Sequence, residues 1–176
     1  MKRNQKGFSL IELLIVVAII LIIAAIAIPN LLRSRMAANE ASAVGSIRTM
    51  NTAAITYSST YGNGFPPALS AIGTTGTGAV SCTNAQLLDS VLTAGTKSGY
   101  TFNLQHGAAT QLTSASSSCS GGYGYPDGYV VTATPVTTGT TVQRAFCSDA
   151  SGVIRFNSNG TPLFTSPSCT DTTILQ

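Results

Sequence analysis

Apolar residues fill positions 8–32 almost without interruption, and no charge stands between Leu13 and Leu32. As a helix, Phe8–Leu32 would span about 37 Å, more than the roughly 30 Å of a bilayer's hydrocarbon layer. Past Pro29 the pattern changes. Val44, Ile47, Met50, Ala54, Tyr57 and Tyr61 recur at steps of 3, 3, 4, 3 and 4, an amphipathic helical period. Arg33, Arg35, Glu40 and Arg48 fall off that stripe or near its start. The pattern therefore predicts one helix over 8–61, roughly 80 Å long. Pro29 lacks an N–H and is expected to kink or locally melt it. Only the second half has a soluble domain to pack against; the first must bury in lipid or against sister helices.

Tyr61-Gly-Asn-Gly-Phe-Pro-Pro ends the helix with three kinds of breaker. A short helix is expected at Asn84–Leu92, capped by Ser81 or Thr83, with Leu87, Leu88, Val91 and Leu92 on its apolar face. Strands are expected at Tyr100–Leu104, Tyr129–Thr134, Val142–Cys147 and Val153–Phe156. Turn-rich connections at Pro135–Thr141 and Ser148–Gly152 make the last three an antiparallel meander. The segment Gly107–Gly124, with Ser114–Ser118 inside it, reads as a long surface loop stapled by Cys119.

Composition supports a surface-exposed protein. At 176 residues the chain has room for little more than one ordinary domain, and only 9% of its residues are charged. A typical soluble domain carries roughly 25%. Ser, Thr, Gly and Ala take the place of Lys and Glu. Three of the nine positive residues (Lys2, Arg3, Lys6) stand in the first six positions, so loss of that leader leaves six against six acids. A formally neutral remainder does not point to nucleic acid or an anionic membrane as main partner. Cys82, Cys119, Cys147 and Cys169 all follow the apolar run, with no C-x-x-C pair and no metal-spaced His; two disulfides in an oxidising compartment are expected, and no metal. Three connectivities are possible. Consecutive pairing, 82–119 and 147–169, closes two short loops.

A basic MKRNQK before an apolar run fits a secretory signal, a plain anchor or another leader type. A secretory cut near Ala25–Ala27 would fall inside the apolar run. A plain anchor fits the length, with Lys2, Arg3 and Lys6 held in the cytoplasm. Neither accounts for Glu12. A carboxylate within an apolar helix costs about 2.5–3.5 kcal/mol at mid-bilayer and less near an interface. Cleavage after Gly7 would supply a partner: the new amine of Phe8, one turn away, a cation that the helix macrodipole disfavours.

The string KGFSLIELLIVVAIILIIAAIAIP closely resembles the class III signal of type IV pilins and pseudopilins, with Lys6-Gly7-Phe8-Ser9-Leu10-Ile11-Glu12 matching its defining positions and Pro29 matching the proline that interrupts the pilin helix. The resemblance implies cleavage between Gly7 and Phe8 by a membrane aspartic prepilin peptidase, N-methylation of Phe8, and pairing of Glu12 with the Phe8 amine of a neighbouring subunit. It implies an α+β lollipop: a cleaved basic leader (1–7), a transmembrane and assembly helix (8–32), an amphipathic helix packed on the head (33–61), and a globular head with an antiparallel sheet (62–176). Implied partners are identical or related pilin subunits, the peptidase, an inner-membrane assembly platform and, before assembly, lipid. The precursor would sit in the inner membrane and the product in an extracellular filament. Two alternatives stay open: a pseudopilin of a type II secretion system, and a membrane-anchored periplasmic binding domain with an uncleaved helix.

Enzyme chemistry finds little support. His106 stands beside Gly107 with no Asp, Glu or Ser in motif spacing, and is expected to be a solvated loop residue; the six acids are scattered. No phosphate loop follows a strand, and no cofactor is implied. Ser148-Asp149-Ala-Ser151-Gly152, with Asp171 nearby, offers too few charged oxygens for calcium and reads as a hairpin turn. Phe8, Tyr57 and Tyr61 are too sparse for an aromatic ladder, so the tyrosines are expected to pack in a core. Asn159-Gly160-Thr161 fits a glycan acceptor but reads as a turn.

Overall fold

The computed structural model describes residues 7–62, 64–74, 78–109, 111–112, 119, 124–139, 142–162, 164–170 and 173–175. The chain divides into two compact units, Met1–Arg35 and Met36–Gln176. Its elements are α1 (Leu10–Tyr61), α2 (Leu69–Ile72), α3 (Ser90–Thr93), and strands β1 (Thr96–Lys97), β2 (Tyr100–His106), β3 (Tyr129–Pro135), β4 (Ala145–Asp149), β5 (Ile154–Asn157), β6 (Phe164–Thr165), β7 (Ser168–Cys169) and β8 (Thr173–Ile174). The class is α+β, a long N-terminal helix followed by an antiparallel sheet.

In the first unit, α1 carries no charge from Leu13 to Leu32. Its large apolar side chains from Leu10 to Leu32 are all about half exposed or more. The most apolar 18-residue window has a mean hydropathy of 3.3, so this helix is long and apolar enough to cross a membrane. α1 stays helical through Pro29.

The second unit is built on the stripe expected for α1. Ile47, Met50, Ala54, Tyr57 and Tyr61 are buried, joined by Ala43, while Val44 sits at the margin. Against them lie the alternate residues of β2 and β3: Tyr100, Phe102 and Leu104, then Tyr129, Val131 and Ala133. The six-stranded sheet runs β1-β2-β3-β4-β5-β8, every pair antiparallel. The expected meander is there as β3-β4-β5, and β2 extends it. Tyr57 donates its hydroxyl to the Cys82 carbonyl at 2.9 Å, and Asn51 donates Nδ2 to Ser148 Oγ at 2.8 Å, tying helix to head. β3 is buried on its other face too. There Val130, Cys147 and Cys169 form a second small core under Phe164 and the β6–β7 hairpin. Disulfides join Cys82 to Cys119, Cα atoms 5.6 Å apart, and Cys147 to Cys169, Cα atoms 5.9 Å apart.

Several expected boundaries move, each for a physical reason. The helix expected at Asn84–Leu92 is only Ser90–Thr93, capped by Asp89, whose Oδ1 accepts the Leu92 N–H at 2.8 Å. Ala85, Leu87 and Leu88 send their N–H groups to carbonyls of Ala71 and Ile72, and Gln86 has φ +53°, so this stretch cannot be helical. Ser81 bridges Asn84 rather than capping a helix. The strand expected at Val142–Cys147 begins at Ala145 and reaches Asp149, because the Gln143 and Arg144 N–H groups go to Glu40. β2 and β3 run one or two residues longer than expected, and β5 is shifted by one. α1 starts at Leu10, not Phe8. Most of the Gly107–Gly124 loop, Ser114–Ser118 included, and Asp171 lie outside the described residues.

Candidate functional site

The N-terminal segment places its chemistry in few residues. Gly7, Phe8 and Ser9 precede the helix and are exposed. No heavy atom lies within 4 Å of where a Gly7 side chain would begin, so nothing in the described fold demands glycine there. Glu12 stands in the first turn and its Oε2 accepts the Ser9 N–H at 2.9 Å, while the Ser9 carbonyl accepts from Leu13. Ser9-Leu-Ile-Glu12 is thus half of a capping box, in which the acid three residues on satisfies an orphan donor at the helix start. The S-x-x-E spacing announced it, and the reading centred on the Phe8 amine missed it. The cap explains why the helix starts at Leu10. It also gives the carboxylate a partner within the same chain. Leu10, Leu13, Leu14, Val17 and Leu21 line one shallow groove of the same helix, all apolar.

A second polar cluster fastens α1 in the head. Glu40 Oε2 accepts Arg144 Nε and Nη2 at 2.8 and 2.6 Å, and Oε1 accepts the backbone N–H groups of Gln143 and Arg144 at 3.3 and 3.2 Å. The guanidinium lies over Phe146 and Phe156, 5.6 and 5.0 Å from their ring centres. Tyr100 donates its hydroxyl to the Arg144 carbonyl at 2.7 Å. Burial first, then the Glu40 charge, push the Tyr100 phenol well above its ordinary range, against the opposing pull of Arg144. These contacts make the cluster a structural anchor between α1 and the sheet.

His106 is not the solvated loop residue expected. It ends β2, half-buried, its ring stacked on Tyr125 at 3.4 Å between centres. Its Nδ1 lies 2.6 Å from the Gly107 carbonyl, and Ser166 donates its hydroxyl to the His106 carbonyl. Tyr125 pairs through its backbone with Phe65. Gly64 makes that bridge possible: at φ +76°, a Cβ there would stand 2.5 Å from the Tyr125 carbonyl oxygen. Tyr129, packed on Phe65, is wholly buried and its hydroxyl has no hydrogen-bond partner among the described residues. Burial, then the charge of Asp149, push it up to about 12.

Asp149 is occupied by its own fold. Oδ1 accepts the Ser151 N–H and hydroxyl at 3.0 and 2.6 Å; Oδ2 accepts the Cys169 N–H at 3.0 Å. The carboxylate thus shapes the β4–β5 turn and holds the strand that carries Cys169. Among the described residues no three His, Cys, Asp or Glu side chains are placed to hold a metal ion. Burial would raise the Asp149 carboxyl, but the Ser151 and Cys169 hydrogen bonds and the Arg155 charge outweigh it and hold the value below the ordinary carboxylate range. A depressed folded value means the native state binds its proton less readily than the unfolded chain. Asp149 therefore contributes stability in full above the ordinary carboxylate range, and loses it as pH falls through the depressed folded value. Urea midpoints measured from neutral to acid pH should fall less steeply in Asp149→Asn than in the wild-type chain.

An exposed Gly-Phe bond thus stands ahead of a capped helix in which Glu12 is the one charge from Leu10 to Leu32. Residues 2–28 match the family model described as the prokaryotic N-terminal methylation motif. Over 38 residues, 22% of this chain, the sequence is 68% identical to the type IV wide pilus major component PilA4 of Thermus thermophilus. Over 101 residues, 56% of this chain, it is 42% identical to the type IV major fimbrial protein FimA of Dichelobacter nodosus. The matched stretches cover 29% and 56% of those two relatives. No solved structure matches the chain.

Proposed function

We propose that the chain is the precursor of a non-catalytic structural subunit of a type IV pilus. The observation that carries this is the placement of Gly7 and Phe8, exposed and outside the helix, directly ahead of a charge-poor apolar helix with Glu12 in its first turn. The precursor waits in the inner membrane with Lys2, Arg3 and Lys6 on the cytoplasmic side. A prepilin peptidase cuts between Gly7 and Phe8, and the Phe8 amine is methylated. Cleavage removes three anchoring charges and creates a cation one residue upstream of the N–H that Glu12 accepts.

During assembly at an inner-membrane platform, that cation pairs with Glu12 of a subunit already in the fibre. The apolar faces of α1 then exchange lipid for sister helices. Because a mismatched charge is costly in a low-dielectric core, the pair sets axial position as well as attracting the helices. Pro29, with no N–H to give, is the point where the helix can open as it packs. The disulfides of the head suit an extracellular filament.

Two measurements test this. Shearing cells and weighing the released chain should give a protein that begins with N-methyl-Phe8 and carries two disulfides. Sheared fibres built from chains that keep their first seven residues would overturn the reading. A correctly processed chain that never leaves the cells on shearing would place it in a secretion pseudopilus instead.

A further inference from the structure

The head carries a groove of about 350 Å³ that the anchoring cluster does not fill. Ala37, Ala41 and Gly45 of α1 form its floor, and Arg48, Arg144 and Leu175 its walls. The three floor residues are exposed, and a Cβ on Gly45 would meet nothing within 4 Å, so another chain can approach the helix backbone closely. Charge is the second feature. Both Glu40 oxygens are engaged by Arg144 and by backbone N–H groups, so that pair is neutral. Arg48 is exposed and makes no ion pair among the described residues. The groove is therefore open, shallow-floored and cationic by one charge.

We propose that this groove receives an aspartate from a second copy of the chain, with Arg48 as its counter-charge. The proposal rests on the filament reading above. Charge complementarity selects the occupant. In the described head, Glu40 and Asp149 have both oxygens engaged within their own fold. Asp89 and Asp127 are exposed, each with one oxygen given to a local N–H: Leu92 to Asp89 Oδ1, and Ala109 to Asp127 Oδ2, both at 2.8 Å. Neither pairs with Arg48 in its own chain. Groove and aspartate are different patches of one surface, so their contact is head-to-tail and propagates along a fibre instead of closing a dimer.

Charge reversal and restoration test this. Arg48→Asp should still be cleaved and methylated and keep its urea midpoint, since Arg48 is exposed, while sheared fibre falls at least about tenfold. Arg48→Lys should keep most fibre. Combining Arg48→Asp with Asp89→Arg or with Asp127→Arg should restore fibre in the one combination that names the partner. Normal fibres from Arg48→Asp alone, or restoration by neither combination, overturns the proposal and leaves the filament reading standing. If the wild-type chain itself forms no sheared fibre, the filament reading falls and this contact falls with it.

Discussion

Glu12→Gln is expected to leave cleavage after Gly7 intact and to lower sheared fibre by about a hundredfold, the factor that corresponds to an unpaired charge in an apolar helix array. The isosteric change separates two duties. A glutamine side-chain oxygen can still accept the Ser9 N–H, so the helix start at Leu10 survives, while the charge proposed to meet a methylated Phe8 amine is gone. Glu12→Ala removes both and should be at least as severe. The measurements are the mass of the cell-associated chain, which reports processing, and its amount in the sheared fraction, which reports assembly. Wild-type fibre from Glu12→Gln would show that the cap, not the charge, is what assembly requires, and the pairing mechanism would go.

The second large effect is expected at Glu40. Glu40→Ala leaves the Arg144 guanidinium on Phe146 and Phe156 without its anion, and strands the Gln143 and Arg144 N–H groups. Removing one partner of a buried pair costs about 3–5 kcal/mol. The Arg144 side chain is 36% exposed, so the lower end applies. A loss of about 3 kcal/mol lowers Tm by roughly 8 °C in a domain of this size. Glu40→Gln keeps an acceptor and should lie between. Urea unfolding of the purified chain in detergent measures both. A shift under about 1 kcal/mol for Glu40→Ala would mean that the cluster is solvated and does not hold α1 to the sheet.

That same cluster explains where sequence reading stopped. The apolar run and the stripe from Ile47 to Tyr61 announce α1 because a helix repeats its contacts every turn. β2, β3 and β5 announce themselves by alternation and turn residues. Glu40 does neither. Its partners lie 103 and 104 residues away, and by taking two N–H groups it moves the start of β4 past Val142 to Ala145. No local period carries that information. Asn84–Leu92 failed for a related reason: four apolar residues at helical spacing also suit an extended segment whose backbone pairs with α2. β1, β6, β7 and β8 are two residues each, too short to leave a period of two. His106 looked solvated because its stacking partner, Tyr125, stands 19 residues further along the chain. At the N-terminus the long apolar helix and the methylation motif were legible. The Ser9 cap, which was missed, was written in the spacing.

The bond between Cys147 and Cys169 has a mechanical consequence for any fibre built from this chain. It joins β4, interior to the sheet, to β7 across 22 residues of sequence. Tension entering near the C-terminus crosses the sulfur atoms into β4, which is flanked by β3 and β5, and bypasses β5, β6 and the connections between them. The two-residue strand β8 at the sheet edge can then peel under a pull without the head unravelling.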